Sequence, residues 1–259
     1  MKPHLTTTVT AGLAAAIVLS ACSGSSSNGT AASSSVTSPR ASTPTHSTPS
    51  YHPTISPADF SPTITNPYFP LKPGTTKIYE GVRDGKPTHS ELVTTTQTRM
   101  VMGVTCVVVH DTVTSGGALV EKTDDWYAQH KDGTVWYFGE NTAEYVNGVV
   151  SSTHGTWEAG VDGAVPGVIM YAKPTVGTAY YQEFRPGEAE DRAKILTLDT
   201  TIAVPAGTFH NVITTEDSDP LNPDKTDKKW FAPGVGVVHS TRIRSGHHEE
   251  SSLVKVTTS

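Results

Sequence analysis

Two stretches decide the fold: Asp125-Trp126-Tyr127-Ala128-Gln129, and Val135-Trp136-Tyr137-Phe138-Gly139 after the turn Lys131-Asp132-Gly133. Each is a short run of β-formers, and a Gly-containing turn separates them, which reads as a hairpin. In the second run, side chains on both faces of the strand are apolar. Such a strand needs cover on both sides, from a second layer or from a barrel lumen. The neighbouring runs Thr75–Val82, Ser90–Met100, Val104–Thr114 and Leu119–Gln129 also read as strands. Asn147-Gly148 marks a two-residue hairpin between Glu144–Val146 and Val149–Thr153. No window keeps a helical period, although Glu188 to Ala193 suits one helical turn.

The same pattern returns further along the chain. Lys122-Thr123-Asp124-Asp125-Trp126-Tyr127-Ala128 reappears as Lys225-Thr226-Asp227-Lys228-Lys229-Trp230-Phe231-Ala232, at a shift of 103 that becomes 104 at the tryptophan. At 103, Gly74-Thr75 and Glu80 match Gly177-Thr178 and Glu183, and Val109 and Val135 match Val212 and Val238. Three blocks at one offset favour duplication. The expected fold is all-β: an antiparallel barrel, paired half-barrels or a sandwich of about twelve strands, in two halves near residues 72–158 and 173–259. Two halves that pack or close on each other also remove exposed strand edges.

The N-terminus carries an address. A basic start, Met1-Lys2-Pro3-His4, precedes an apolar run from Ala11 to Leu19, the plan of a secretory signal peptide. The run is shorter than the roughly 20 residues of a membrane span. Leu19-Ser20-Ala21-Cys22 resembles the bacterial lipobox. That resemblance implies a signal peptide over residues 1–21, cleavage before Cys22, and a diacylglycerol on its thiol. From Ser23 to Ile55 the chain is almost entirely Ser, Thr, Pro, Ala and Gly, with Arg40 its sole charge. This composition buries too little apolar surface to order itself, so residues 22–55 read as the lipidated cysteine and a stalk. As a coil, 33 residues span about 30 Å.

The β-rich domain, residues 56–259, holds all 25 acids and 17 of the 19 basic residues, a net charge near −8. That balance argues against nucleic acid as a partner. Once lipid takes Cys22, the one cysteine left is Cys106 in Thr105-Cys106-Val107-Val108-Val109, which reads as a buried, unreactive strand position.

Three motifs resemble a family of uncharacterised bacterial exported proteins and lipoproteins. They are Asn66-Pro67-Tyr68-Phe69-Pro70-Leu71-Lys72-Pro73-Gly74-Thr75, the Asp125–Gln129 run with Gly133–Glu140, and Trp157-Glu158-Ala159-Gly160-Val161-Asp162-Gly163-Ala164 with Pro166-Gly167-Val168-Ile169-Met170. The resemblance spans most of the domain and implies no activity. Val204-Pro205-Ala206-Gly207-Thr208-Phe209 and Trp230-Phe231-Ala232-Pro233-Gly234-Val235-Gly236 are more distantly similar to envelope proteins with a curved antiparallel sheet, some of which carry lipids.

Polar clusters read as surface. His247-His248-Glu249-Glu250 reads as an exposed turn, because adjacent histidines on a strand face opposite ways. Asp217, Asp219, Asn222, Asp224 and Asp227 lack the glycine and terminal glutamate of a helical calcium loop and read as a solvated hairpin. Glu188, Glu190 and Asp191 read as an acidic loop. No catalytic set, metal site or cofactor is expected. The aromatics are the distinctive feature, and Trp126, Tyr127, Trp136, Trp157 and Trp230 are expected to converge on one ligand site. The expectation is a non-enzymatic carrier of an apolar molecule, extracytoplasmic and lipid-anchored to the cell membrane. The alternative is an envelope structural or protein-interaction module without a small-molecule site.

Chain purified from the envelope is expected to begin at Cys22 and to carry a diacylglycerol in its intact mass. Cys22→Ala is expected to abolish both. A Cys22→Ala chain with an unchanged N-terminus and mass contradicts the lipidation.

Overall fold

A computed structural model of the chain describes residues 51–244 and 247–259. The signal peptide, Cys22 and the linker up to residue 50 lie outside the described residues. The described chain is β-structure with one 3₁₀ turn, Pro57–Asp59. In chain order the strands are β1 (Phe60–Ser61), β2 (Thr75–Arg83), β3 (Lys86–Val101), β4 (Val104–Ser115), β5 (Ala118–His130), β6 (Val135–Val146), β7 (Val149–Ser152) and β8 (Trp157–Glu158). They continue with β9 (Val165–Met170), β10 (Ala179–Tyr181), β11 (Glu183–Phe184), β12 (Arg192–Val204), β13 (Gly207–Asp219), β14 (Asn222–Ala232), β15 (Gly236–Arg244) and β16 (His247–Thr258).

Thirteen of them form one antiparallel path, β10-β12-β13-β14-β15-β16-β2-β3-β4-β5-β6-β9-β11. The two ends of the path are adjacent in sequence: β10 and β11 are separated only by Gln182. β10 pairs with β12, and β11 pairs with β9, so the chain itself draws the sheet into a nearly closed barrel. Of the architectures open to the sequence, the barrel is the one adopted. Glu188 to Ala193 is not helical: Ala189 bridges to Arg185, and β12 starts at Arg192.

Turn chemistry explains much of this order. β2–β3, β3–β4, β4–β5 and β6–β7 are each joined by two residues. Both turn residues have positive φ in all four: Asp84-Gly85, Met102-Gly103, Gly116-Gly117 and Asn147-Gly148. This turn type matches the twist of the flanking strands. Shifting the sequence by 103 residues carries Val104 and Ser115, the ends of β4, onto Gly207 and Ser218 in β13. It carries Thr75, the start of β2, to Thr178, beside the start of β10. Read at that shift, β2-β3-β4-β5-β6-β7 and β10-β12-β13-β14-β15-β16 are two runs paired in the same order.

The cover that Val135–Phe138 requires comes from two directions. Inside the barrel, Tyr137 stacks on Tyr127 with ring centroids 4.7 Å apart. Outside, Phe60 meets Trp136 and Phe138 edge to face. The segment before β2 thus packs on the outer wall, and its Ile55, Phe60, Tyr68 and Phe69 join the main core. Tyr51, which composition groups with the stalk, packs on Tyr181 and Phe184 and donates from its hydroxyl to Pro166 O at 3.2 Å.

The same segment crosses one end of the barrel. Asn66 donates from Nδ2 to Gly133 O (2.9 Å) and Tyr171 O (3.1 Å). On the far side, Gly234 N donates to Pro67 O at 2.7 Å. Between these anchors Phe69 turns inward onto Tyr127, ring centroids 5.2 Å apart.

At the seam the backbones touch. A Cβ on Gly167 would lie 2.1 Å from Gln182 O and 2.8 Å from Tyr181 O, where no side chain can be placed. Gly167→Ala is expected to open the seam and cost about 2–3 kcal/mol. That is about 5–10 °C in melting temperature for a domain of this size, measured by calorimetry. An unchanged melting temperature means the seam does not hold the barrel together.

Candidate functional site: the barrel lumen

Strand alternation places the lumen residues. On β5, Glu121, Thr123, Asp125 and Tyr127 share one face, about 6–7 Å per two-residue step. Across the ladder, Asp125 is registered with Glu140 and Thr123 with Thr142, while Tyr127 stands opposite Tyr137. On β14 the same face carries Asp227, Lys229 and Phe231. The interior is therefore layered: aromatic under the crossing segment, charged beyond it.

The charged layer includes a belt of directly registered residues. Asp217 faces Asp227, Asp227 faces Arg242, Arg242 faces Glu249, and Glu249 faces Arg83, across β13, β14, β15, β16 and β2. Arg83 donates to both Glu249 oxygens, at 3.0 and 2.8 Å. Arg242 Nε donates to Asp227 Oδ2 at 2.9 Å. Lys229 Nζ lies 2.7 Å from Asp217 Oδ2. Burial pushes the Lys229 ammonium down, but Asp217 more than offsets this and holds it charged. Each interior cation of this belt thus has its own acid.

Other acids face the lumen without such a cation. Asp111 on β4 is 5% exposed, and its Oδ1 has no hydrogen-bond partner. Burial first, then the charges of Glu121 and Asp125, push its carboxyl well above the usual range. Burial raises Glu121 to about 7 against the opposing pull of Arg242 and Arg83. Burial also raises Asp125 to about 7, although the Tyr137 hydroxyl donates to Asp125 Oδ1 at 2.5 Å and lowers it. Glu140, wholly buried, is pushed well above its ordinary value by burial and then by Glu183 and Asp125.

Between the two layers lies a cavity of about 130 Å³. Phe69, Tyr79, Tyr127, Tyr137 and Phe231 line it with Asp111, Asp125, Lys229 and Arg242. Among the described residues, no group of three or more His, Cys, Asp or Glu is arranged to hold a metal ion.

The aromatics expected to form one site are dispersed. Tyr127 alone of them lines this cavity. Trp126 and Trp157 flank a separate cleft of about 460 Å³, but both are almost wholly buried. The Arg99 guanidinium lies 4.1 Å over the Trp126 ring and pairs with Glu158 at 2.5 Å. Trp157 meets Tyr137 edge on. Trp136 packs on the outer wall against Phe60, and Trp230 against His239. The physical reason is parity. Trp126 and Trp230 are one residue out of step with Asp125, Tyr127, Lys229 and Phe231, so they face outward.

The same parity corrects the polar clusters. Glu249 is not in an exposed turn but in β16 facing inward, while its neighbours His248 and Glu250 are exposed. Asp217, Asp219 and Asp227 are buried on strands, not solvated. Glu190 and Asp191 are buried too, and Glu190 Oε1 accepts from Gly187 N at 3.1 Å. Cys106 is buried in β4 as read, and burial pushes its thiol up to about 12. The alternation Glu121-x-Thr123-x-Asp125-x-Tyr127 is visible in the sequence, but the other face, Val120, Lys122, Asp124, Trp126 and Ala128, is charged in its middle as well, so the pattern does not by itself mark the inner face.

No protein-family model matches the chain, and no curated protein matches it. Two solved structures are similar. One, called an exported protein with a YmcC-like fold, is from Bacteroides fragilis NCTC 9343; it is 15% identical with a TM-score of 0.44, over 74% of this chain and 99% of that one. The other, called a lipoprotein, is from Parabacteroides distasonis ATCC 8503; it is 15% identical with a TM-score of 0.40, over 73% of this chain and 98% of that one.

The raised acids predict how stability varies with pH. A carboxyl whose folded pKa exceeds its unfolded value keeps its proton longer when folded, so stability falls as pH rises between the two. For Asp125 and Glu121 that window runs from 3.8 and 4.5 up to about 7. The melting temperature is expected to be at least about 5 °C higher near pH 5 than near pH 8. Asp111→Asn and Glu140→Gln, which remove buried carboxylates and keep their shape, are expected to flatten the slope. A melting temperature that rises over this range contradicts the assignment.

Proposed function

We propose that the chain is an extracytoplasmic, lipid-tethered binding module that holds a small molecule in its barrel lumen without catalysing a reaction on it. The address is supported by the charged-then-apolar start and by Leu19-Ser20-Ala21-Cys22. The binding role is carried by one observation: a cavity of about 130 Å³ lined by Asp111, a buried acid whose Oδ1 has no hydrogen-bond partner. Protein interiors pack to the density of organic crystals. A buried polar atom left without a hydrogen bond costs about 1–3 kcal/mol. A cavity and an orphan carboxyl oxygen on its wall residue are both accounted for by a ligand that fills one and pairs with the other.

Volume and lining narrow the ligand. A cavity of about 150 Å³ accepts benzene, so this one suits a compact molecule, not an acyl chain. The acids on its wall disfavour the purely apolar ligand expected from sequence. We read the two strand runs as copies of one unit that enclose the site between them.

A second reading, an interaction module, is favoured by a separate feature. Met100, Met102 and Val161 are exposed large apolar side chains, and Met102 lies against Gly160 beside Val161.

The test is native mass spectrometry of the chain from Ser23 onward, exported behind a cleavable signal and purified from a bacterial envelope without detergent. A reproducible extra mass of small-metabolite size is expected, absent when Ile169→Trp fills the cavity. A bare chain mass overturns the lumen reading in favour of the interaction module.

A further inference from the structure

We propose that the lumen ligand is a small organic ammonium ion, enclosed by Phe69, Tyr127, Tyr137 and Phe231 with Asp111 and Asp125 as its counter-charges. This rests on the reading of the cavity as a ligand site.

The charge balance points to a cation. Lys229 and Arg242, the cations on the cavity wall, are held by Asp217 at 2.7 Å and Asp227 at 2.9 Å. Glu249, also on the wall, is held by Arg83 at 2.8 Å. Asp111 and Asp125 line the same cavity, and no cation stands within ion-pair distance of either in the described structure. An anion would raise these carboxyls further, whereas a cation is the ligand that lets Asp111 and Asp125 give up the protons that burial holds on them. A neutral apolar molecule would leave Asp111 Oδ1 buried and unsatisfied. Protonation, which burial favours at Asp111, removes the charge but adds an O–H that itself requires an acceptor. A positively charged donor, or a cation with polarised C–H groups, satisfies it directly.

The aromatic wall points to an organic cation over a metal. Ammonium groups are attracted to ring faces, by about 2 kcal/mol or more when both are desolvated, and cages of aromatic residues recognise quaternary and methylated ammonium groups. Tyr127 and Tyr137 are stacked with an interplanar angle of 17°, and Phe69 closes on Tyr127 from the crossing segment at 63°. Tyr137 is held in place by its own hydroxyl, which donates to Asp125. Ring and carboxylate thus form one rigid wall. Calcium and magnesium require many oxygens at 2.0–2.6 Å, and the described acids are not gathered in that way. The layered lumen, with rings on one side and carboxylates on the other, suits a cation whose charge is spread over carbon substituents. The volume, close to a benzene-sized site, suits a compact head group.

The test uses choline and its uncharged carbon isostere, 3,3-dimethylbutan-1-ol, titrated calorimetrically into the chain from Ser23 onward. Choline is expected to bind at least about tenfold more tightly than the isostere, the equivalent of about 1.4 kcal/mol. Asp111→Asn is expected to weaken choline about tenfold or more and to leave the isostere unchanged. Its melting curve, no lower than the parent's, certifies the fold. Choline affinity is expected to rise as pH passes upward through the Asp125 value of about 7. Equal binding of choline and isostere overturns the ammonium assignment and leaves the lumen-binding reading standing. Binding of neither, while envelope-purified chain still carries an extra mass, does the same. Binding of neither with a bare chain mass overturns both.

Discussion

The register of the ladder between β13 and β2 is the constraint on which the rest depends. It sets Asp217, Asp227, Arg242, Glu249 and Arg83 side by side on neighbouring strands, all facing inward. A slip of one residue would turn the whole set to the outer face. Charges removed from water tolerate such a position only when each meets its partner at good geometry. The belt therefore acts less as a source of net stability than as a specification of one register. It also ties the two ends of the barrel sequence together, since β16 and β2 come from opposite ends of the domain and share the Arg83–Glu249 pair.

Once that register is set, the remaining polarity of the lumen follows. Positions two residues apart on each strand step from the aromatic layer into the charged one: Tyr127 to Asp125 on β5, Phe231 to Lys229 on β14. At the 104-residue shift that superposes Trp126 on Trp230, Asp125 corresponds to Lys229. Two positions that coincide at this shift thus carry opposite charges into one interior, and Lys229 lowers the Asp125 carboxyl across it. The runs differ where they line the cavity. The second run's cations are matched by its own acids, and the surplus carboxylates, Asp111 and Asp125, belong to the first. Asymmetry of that kind is what allows a lumen to distinguish one ligand charge from the other.

The outer wall is also unusual, and it explains why a polar interior can be stable. Apolar side chains that an ordinary barrel would place inside are covered here from outside. Phe138 lies under Phe60, Trp126 lies under Arg99, and Ile64 and Leu71 close against each other beside the wall. The hydrophobic effect is non-directional. It is satisfied as well by a wrapped outer face as by a filled lumen, which leaves the lumen free to carry charge and space.

Strand identity and order were legible in the sequence because they depend on local chemistry. β-Branched runs and two-residue turns such as Asn147-Gly148 each act over a few neighbouring residues, and the strands from Thr75 to His130 fall within a few residues of where those signals place them, while Val135–Gly139 and Glu144–Val146 join into the single strand β6. The double-sided apolar character of Val135–Phe138 likewise announced cover on both faces. Which face is the inside was not legible. Asp125 and Trp126 are adjacent, and nothing local states which of them points into the barrel. Pattern reading sends the tryptophan in and the acid out, and the tertiary structure does the reverse. That choice was made by the segment from Ile55 to Leu71, which wraps the outer wall, and by cations more than a hundred residues away on β14 and β15. The sequence by itself determined the strands, because turns and β-propensity are short-range. Only the tertiary structure decided the lumen, because burial and charge pairing depend on what distant strands bring to the other side.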